Sequence, residues 1–225
     1  MGKGQKTGFD ARLQAFATWN AQFGEALAKI GDEALARFDD IFTFAYREEH
    51  TPAQAVDDAK ALANLGTNNP LAIQLWHDDV QADELRLCLY GKDDEIVRFQ
   101  KVAHILENLG LPVLTLRDYR LADGYWLQSY GIDLANSRFQ PGDSPEPYLA
   151  NIIEAFISVW TGASEDDDLN HYVSSHGCDI REIAMLRALG KYMIQAGAPY
   201  SYEQIRAALN ANPDAAAALI AAFHA

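Results

Sequence analysis

The groups in this 225-residue chain that could do chemistry are six scattered histidines, two cysteines, one acidic run and a few cations that follow it. The run Ser164-Glu165-Asp166-Asp167-Asp168-Leu169-Asn170 could bind a divalent cation. Calcium loops, however, alternate their oxygen donors around a glycine turn, and this run has neither the alternation nor the glycine. The simpler expectation is a set of acids at a helix N-terminus, where the macrodipole favours negative charge, with Asp168 or Ser164 as the cap. Arg181, Arg187 and Lys191 come next in the chain. A guanidinium there could grip an anion or a carboxylate ligand in bidentate fashion. It could equally pair with Asp166, Asp167, Asp168 or Glu182, and ion pairing is the expectation. Of His50, His77, His104, His171, His176 and His224, the two nearest neighbours are His171 and His176. A spacing of five does not bring them to one helical face, so surface or capping roles are expected rather than metal binding. Tyr125, Trp126 and Tyr130 could stack a ligand, but aromatic packing in a core is expected.

The familiar enzyme signatures do not occur. There is no G-x-G-x-x-G after a strand, no G-x-S-x-G elbow and no H-E-x-x-H. The opening GKGQKTG has the wrong spacing for a phosphate loop and is expected to be a frayed start. Cys88 and Cys178 form no C-x-x-C and are read as reduced packing residues. A formal net charge of −14 argues against nucleic acid and against anionic lipid as partners. With no apolar leader and no long apolar span, the expected compartment is the cytoplasm. The 49% hydrophobic and 11% aromatic content is enough for a substantial core.

The elements that must position these groups fall into three segments. Residues 9–66 read as helical, with Phe16, Trp19, Phe23, Leu27 and Ile30 at three- and four-residue steps, then Leu35, Phe38, Ile41 and Phe42. Thr51, Pro52 and Gln54 predict a capped helix start, and Gly66 a stop.

Residues 70–163 change period. Leu71, Ile73 and Leu75 alternate with Ala72, Gln74 and Trp76. Leu85, Leu87 and Leu89 alternate with Arg86, Cys88 and Tyr90, which predicts two half-buried strands. A helix follows with Ile96, Phe99, Val102, Ala103, Leu106 and Leu109 on one face, capped by Asp93 or Asp94 and ended by Gly110. Two more strands are joined through Ala122-Asp123-Gly124, a hairpin turn. A helix starting at Ser144-Pro145 buries Leu149, Ile152, Ile153, Phe156, Val159 and Trp160.

Residues 164–225 are helical again. Asp179 with Glu182, and Ser201 with Gln204, have capping-box spacing. Asn212-Pro213 opens the last helix. The predicted fold is α+β: a four-stranded, mostly antiparallel sheet with two covering helices, flanked by N- and C-terminal helical segments. The order β-β-α-β-β-α suits a ferredoxin-like sheet permuted at its ends, with the first strand taking the place of the last.

Three stretches then resemble a known family. ELRLCLYGKDDEI, followed by HILENLGLPVLTLRDYRL, is similar to the third ACT-type domain of large-subunit bacterial NAD-dependent glutamate dehydrogenases. The stretch DDLNHYVSSHGCDIREIAMLRALGKYMIQAGAPYS resembles the helical segment that precedes the dehydrogenase core in that family. Its matching residues include Asn170, Arg181, Arg187, Tyr192 and Gln195, and L-R-A-x-x-K-Y-x-x-Q-x-G-x-x-Y-S is its more specific part. FAYREEHTPAQAVDDAKALANL resembles the helical motif ahead of the ACT-type domain.

The resemblance implies an N-terminal helical motif over 9–66, an ACT-like α/β sandwich over 70–163 and a C-terminal helical segment over 164–225. It implies a parent enzyme that oxidatively deaminates L-glutamate to 2-oxoglutarate with NAD in large cytoplasmic homo-oligomers. No catalytic, metal-binding or NAD-binding residue can be carried over to this chain. Three readings follow from it. The first is a regulatory and assembly segment that works with the remainder of the dehydrogenase chain or its subunits and is inactive alone. The second is a stand-alone sensor of a small amino-acid effector, whose loop by position is Gly91, Lys92, Asp93 and Asp94. A plain turn with Gly91 at positive φ is the alternative for that loop. The third is a structural oligomerisation module. In all three, Asn170, Arg181, Arg187, Tyr192 and Gln195 are expected to act structurally.

Overall fold

The computed structural model describes residues 3–66, 70–77, 84–92, 99–135, 137 and 145–224. The N-terminal helices are α1 (Lys3–Ile30), α2 (Glu33–Ala36), α3 (Phe44–Glu49) and α4 (Pro52–Ala63). Strands β1 (Leu71–His77) and β2 (Glu84–Lys92) follow, then α5 (Phe99–Asn108), β3 (Val113–Arg120), β4 (Tyr125–Asp133) and α6 (Pro145–Trp160). A 3-10 turn at Asp168–Asn170 leads into α7 (His171–His176), α8 (Ile180–Gln195), α9 (Tyr202–Ala211) and α10 (Pro213–Phe223). Helix α1 reaches back to Lys3, so the start expected to be frayed has helical backbone.

Local chemistry sets the boundaries. The Thr51 hydroxyl accepts from the Gln54 amide while the Gln54 side chain takes the Thr51 N–H, a reciprocal capping box. Asp179 with Glu182 and Ser201 with Gln204 do the same for α8 and α9. At the end of α5, the N–H of Leu111 returns to the Leu106 carbonyl at 2.8 Å and that of Gly110 to the Glu107 carbonyl at 2.9 Å. This 6→1 and 5→2 pair is a Schellman closure, and it lets the chain leave the helix directly for β3. The β3–β4 connection places Asp123 at φ 57° and Gly124 at φ 78°, the left-handed pair that matches the twist of a two-residue hairpin. The Ala122 N–H of that turn donates to the Ile41 carbonyl at 2.9 Å.

The architecture is α+β, with a four-stranded antiparallel sheet in the order β1-β2-β4-β3. Strand β2 departs from the half-buried expectation. Cys88 and Tyr90, on the face opposite Leu85, Leu87 and Leu89, are buried as well. The reason is that Ala72, Cys88, Tyr90, Tyr119, Leu121 and Leu127 share one apolar core with Trp19, Phe23, Phe38, Phe42, Tyr46 and Leu62 of the helical N-terminal region. That face of the strands is therefore covered by side chains from α1–α4 and their connections. Two apolar positions expected to be buried are exposed, Ile30 at the end of α1 (43%) and Phe99 at the start of α5 (44%), and Phe16, Leu149, Ile153 and Trp160 are half-buried. Ile105 joins Val102 and Leu106 on the buried stripe of α5 instead. Ile96, Asp93, Asp94 and Ser144 lie outside the described residues.

The chain divides into two compact units. One comprises residues 1–74, 87–96 and 116–130, and the other 75–86, 97–115 and 131–225. In the first unit an aromatic cluster dominates: Phe23 meets Phe42 edge-on at 5.4 Å, and Phe42 stacks on Tyr46 at 4.4 Å. In the second, α6 packs on α5, α7 and α8, while α10 closes against α8 and α9. Among the described residues no helix is long and apolar enough to cross a membrane. Cys88 and Cys178 are both buried, and neither is in a disulfide among the described residues.

Candidate functional site

The acidic run and the cations after it come together, and the arrangement is a structural hub. Asp167, not Asp168 or Ser164, is the cap of the 3-10 turn, accepting from the Leu169 N–H at 3.1 Å. The same carboxylate takes a two-pronged contact from Arg187, Nη2 to Oδ1 at 2.7 Å and Nε to Oδ2 at 3.1 Å. Arg187 Nη2 also donates to Asn170 Oδ1 at 2.7 Å and to the Glu165 carbonyl at 3.2 Å, and Nη1 donates to Ser164 Oγ at 3.2 Å. Asn170 returns its amide to the Glu165 carbonyl at 3.0 Å. The two ends of the pair are nearly dry, with side chains 4% and 9% exposed. A planar guanidinium suits this site because its fixed fork can serve several oxygens at once.

The neighbouring acids each take a different partner. Glu165 pairs with Lys191 of α8, and Asp168 pairs with Arg206 of α9 at 2.7 Å. Asp166 accepts from Asn108 of α5 at 2.9 Å. Ser174 of α7 donates to the Leu109 carbonyl beside it at 2.6 Å. Consecutive acids thus lock α5, α8 and α9 around one loop, which accounts for the clustering of charge without a cation. Among the described residues no group of His, Cys, Asp and Glu is arranged to hold a metal ion. Beside the hub lies a cavity of about 300 Å³ lined by Ser164, Glu165, Ala184, Arg187, Ala188 and Lys191. Its cations already hold carboxylates, so it offers no unsatisfied positive charge to an incoming anion.

The other sequence candidates separate. Asn170 and Arg187 meet in the hub, whereas Arg181, Tyr192 and Gln195 are exposed, Tyr192 at 66%. Gly91 and Lys92 are the last residues of β2, and Asp93 and Asp94 lie outside the described residues. Gly91 is a strand residue and not a turn at positive φ. Its lack of a side chain answers to Trp126: a Cβ at Gly91 would sit 2.1 Å from Cζ2 of the indole. Lys92 Nζ lies 4.6 Å from the centre of the Tyr125 ring. Trp126 and Tyr130 are core residues, and burial pushes the Tyr130 phenol well above its usual range. Trp126 keeps one unusual feature, a buried Nε1–H with no hydrogen-bond partner among the described residues.

Three of the histidines have close polar partners. His171 Nδ1 lies 2.6 Å from the Asp168 carbonyl, His176 Nδ1 lies 2.7 Å from Ser175 Oγ, and His224 meets Glu182 at 2.7 Å. A group that sequence reasoning missed is Asp58, a carboxyl buried in the core of the first unit between Tyr46 and Tyr90. The available signal was its place in α4, three and four residues from Ala55 and Leu62 on the buried stripe.

Comparison with known proteins gives these contacts a context. Residues 164–225 match the family described as glutamate dehydrogenase, helical motif 3. Over 221 residues, 94% of this chain, the sequence is 29% identical to the NAD-specific glutamate dehydrogenase of Pseudomonas aeruginosa, of which it covers 13%. It is 29% identical over 206 residues to that of Halomonas elongata, covering 89% of this chain and 12% of the relative. The enzyme of the same name from Mycobacterium tuberculosis is 25% identical over 232 residues, covering 94% and 13%. The chain spans 12–13% of the length of these curated relatives. Almost throughout, then, this chain is similar to one stretch of the NAD-specific glutamate dehydrogenases, and its C-terminal helices match a motif named for that enzyme.

Proposed function

We propose that the chain is a non-catalytic regulatory and assembly segment of an NAD-dependent glutamate dehydrogenase. In this reading the parent enzyme deaminates L-glutamate to 2-oxoglutarate, and NAD is bound by parts of the enzyme other than this chain. Residues 9–66, 70–163 and 164–225 then serve as helical motif, ACT-like sandwich and second helical segment. The strand order supports the sandwich: β2 and β3, joined through α5, have β4 between them, and β1 lies on the free side of β2 where a ferredoxin-like sheet carries its last strand.

The observation that carries the assembly role is the surface of α8 within the matched motif. Leu189, Tyr192, Met193 and Ile194 are 37%, 66%, 45% and 38% exposed, and Tyr200 beyond them is 56% exposed. From Ala188 to Ser201 the single charged side chain is Lys191. Leu189, Tyr192 and Met193 share one face of α8 at three- and four-residue steps, and exposed apolar surface with so little charge is the mark of an interaction face; the remaining polypeptide of the dehydrogenase is its partner in this proposal. Co-expressed with that polypeptide, the chain should co-purify with it. The double variant Tyr192→Glu/Met193→Glu should keep its melting temperature and lose the association. Glutamate-dependent NAD reduction by the purified chain alone, or association indifferent to the double substitution, would refute the proposal.

A second reading, an effector-binding sensor, is favoured by one observation. The buried Trp126 N–H lacks an acceptor among the described residues, and its ring lies over Gly91, the first residue of the loop that the resemblance assigns to an amino-acid effector. Calorimetry against a panel of amino acids tests it; heat with one member, abolished by Trp126→Phe, is the expected result. Silence across the panel at millimolar ligand removes it.

A further inference from the structure

Asp58 of α4 is 6% exposed and stands among oxygen atoms. Its Oδ2 is hydrogen-bonded to the Tyr46 hydroxyl. Its Oδ1 lies 2.6 Å from the Tyr90 hydroxyl, and that hydroxyl lies 2.7 Å from Oε1 of Gln74 on β1. Three oxygen–oxygen contacts at hydrogen-bond distance each need a proton. Tyr46 and Tyr90 supply one apiece. With the Gln74 Nε2 placed toward the Asp57 carbonyl at 3.4 Å and its oxygen toward Tyr90, the third falls to Asp58.

We propose that Asp58 is held as a neutral acid and that its proton works a two-position latch between α4 and β1. With the proton in place, Asp58 donates to the Tyr90 oxygen and Tyr90 donates to Gln74, so α4, β2 and β1 form one chain of hydrogen bonds. When the proton leaves to solvent, the Tyr90 O–H turns from Gln74 to the new carboxylate. Asp58 then accepts from both phenols, and Gln74 loses its link to Tyr90.

The surroundings favour the first position. Burial drives the Asp58 carboxyl above the usual carboxylate range, and Asp57 pushes the same way; the phenol hydrogen bonds of Tyr46 and Tyr90, and His50, pull against them. His50 stacks on Tyr46 at 4.1 Å, and its Nδ1 faces the Tyr46 carbonyl at 3.0 Å. Cys88 on β2 and Tyr119 on β3, which donates to Glu49 at 2.7 Å, complete the titratable groups acting on the pair of phenols. Burial likewise pushes both phenols far up, so neither loses its proton first.

The sign of the linkage follows. A carboxyl whose folded-state affinity for protons is raised contributes fully below its unfolded pKa of about 3.9. That contribution is lost as pH rises, because the unfolded chain ionises first.

The test is Asp58→Asn. An amide can accept from Tyr46 through Oδ1 and donate to Tyr90 through Nδ2, which copies the neutral acid. The expected melting temperature equals or exceeds wild type near neutrality, with the gap in favour of the variant widening from about pH 4 upward as wild-type Asp58 is called on to ionise. A variant that melts below wild type by a margin that grows with pH would mean an ionised Asp58 and overturn the proposal, as would a gap independent of pH. If the variant does not fold, infrared spectroscopy of the wild-type protein labelled with carbon-13 aspartate decides. A protonated carboxyl stretch above the usual carboxylate titration range supports the latch, and its absence sinks it.

Discussion

Arg187→Met is the sharpest perturbation of the hub. It removes a guanidinium that makes two contacts to Asp167 and one each to Asn170, the Glu165 carbonyl and Ser164. Methionine fills similar space, so the change is chiefly electrostatic. Asp167 would keep the Leu169 N–H and lose its cation in a site where its own side chain is 9% exposed. Breaking a buried pair from one side costs about 3–5 kcal/mol, because the remaining charge stays buried. For a chain of this size that corresponds to a fall in melting temperature of roughly 6–20 °C. Lys191→Met is the control. Its pair with Glu165 is about half exposed at both ends, and such pairs contribute about 0–1 kcal/mol. Arg187→Lys should fall between the two, keeping charge without the fork. Asp167→Leu/Arg187→Met should regain part of the loss by removing both charges together. Thermal unfolding followed by circular dichroism measures all four. The reasoning fails if Arg187→Met melts no lower than Lys191→Met.

Other changes test the fold locally. Gly91→Ala places a methyl group 2.1 Å from the Trp126 ring and should cost roughly 1–3 kcal/mol in urea titration, with part regained on adding Trp126→Leu. Thr51→Ala removes the α4 cap and should cost about 1 kcal/mol by the same measurement. Asp123→Val puts a β-branched side chain at φ 57° and should destabilise the β3–β4 hairpin by about 1–2 kcal/mol, read as faster amide exchange at Leu121 and Tyr125.

The sequence made the elements legible because their signals are local. Period-2 alternation located all four strands, and S/T/D-x-x-E/Q spacing located three helix starts. What it left open depends on tertiary partners. Alternation in β2 marks Cys88 and Tyr90 as the weaker face, and nothing local tells that Phe42, Tyr46 and Leu62 share a core with them. The acidic run reads as acids at a helix start capped by Asp168 or Ser164, and pairing of Arg181, Arg187 and Lys191 with Asp166 to Asp168 or Glu182 is the expectation for the cations. Yet no spacing rule assigns Asp167 to Arg187, Asp168 to Arg206 and Asp166 to Asn108. Asp58 was invisible for the opposite reason. An aspartate in PAQAVDDAKALA looks like surface until two tyrosines from α3 and β2 are seen to meet it.

The stretch L-R-A-x-x-K-Y-x-x-Q-x-G-x-x-Y-S, which runs from α8 to the cap of α9, therefore divides into two groups of positions. Its early positions Arg187 and Lys191 turn toward the acidic run, and Gly190 lets Tyr202 and Ile205 of α9 approach to 3.2 and 3.3 Å of where a Cβ would be. Its later positions Tyr192, Gln195 and Tyr200 are exposed. If fold stability were the sole reason for the stretch, both groups would be coupled to unfolding. The structure instead predicts a split: substitutions at Arg187 or Gly190 lower the melting temperature, while Tyr192→Ser leaves stability within about 0.5 kcal/mol of wild type, as expected for an exposed side chain. A Tyr192→Ser variant that unfolds as readily as Arg187→Met would show that the outward face belongs to the fold, and the assembly reading would lose its support.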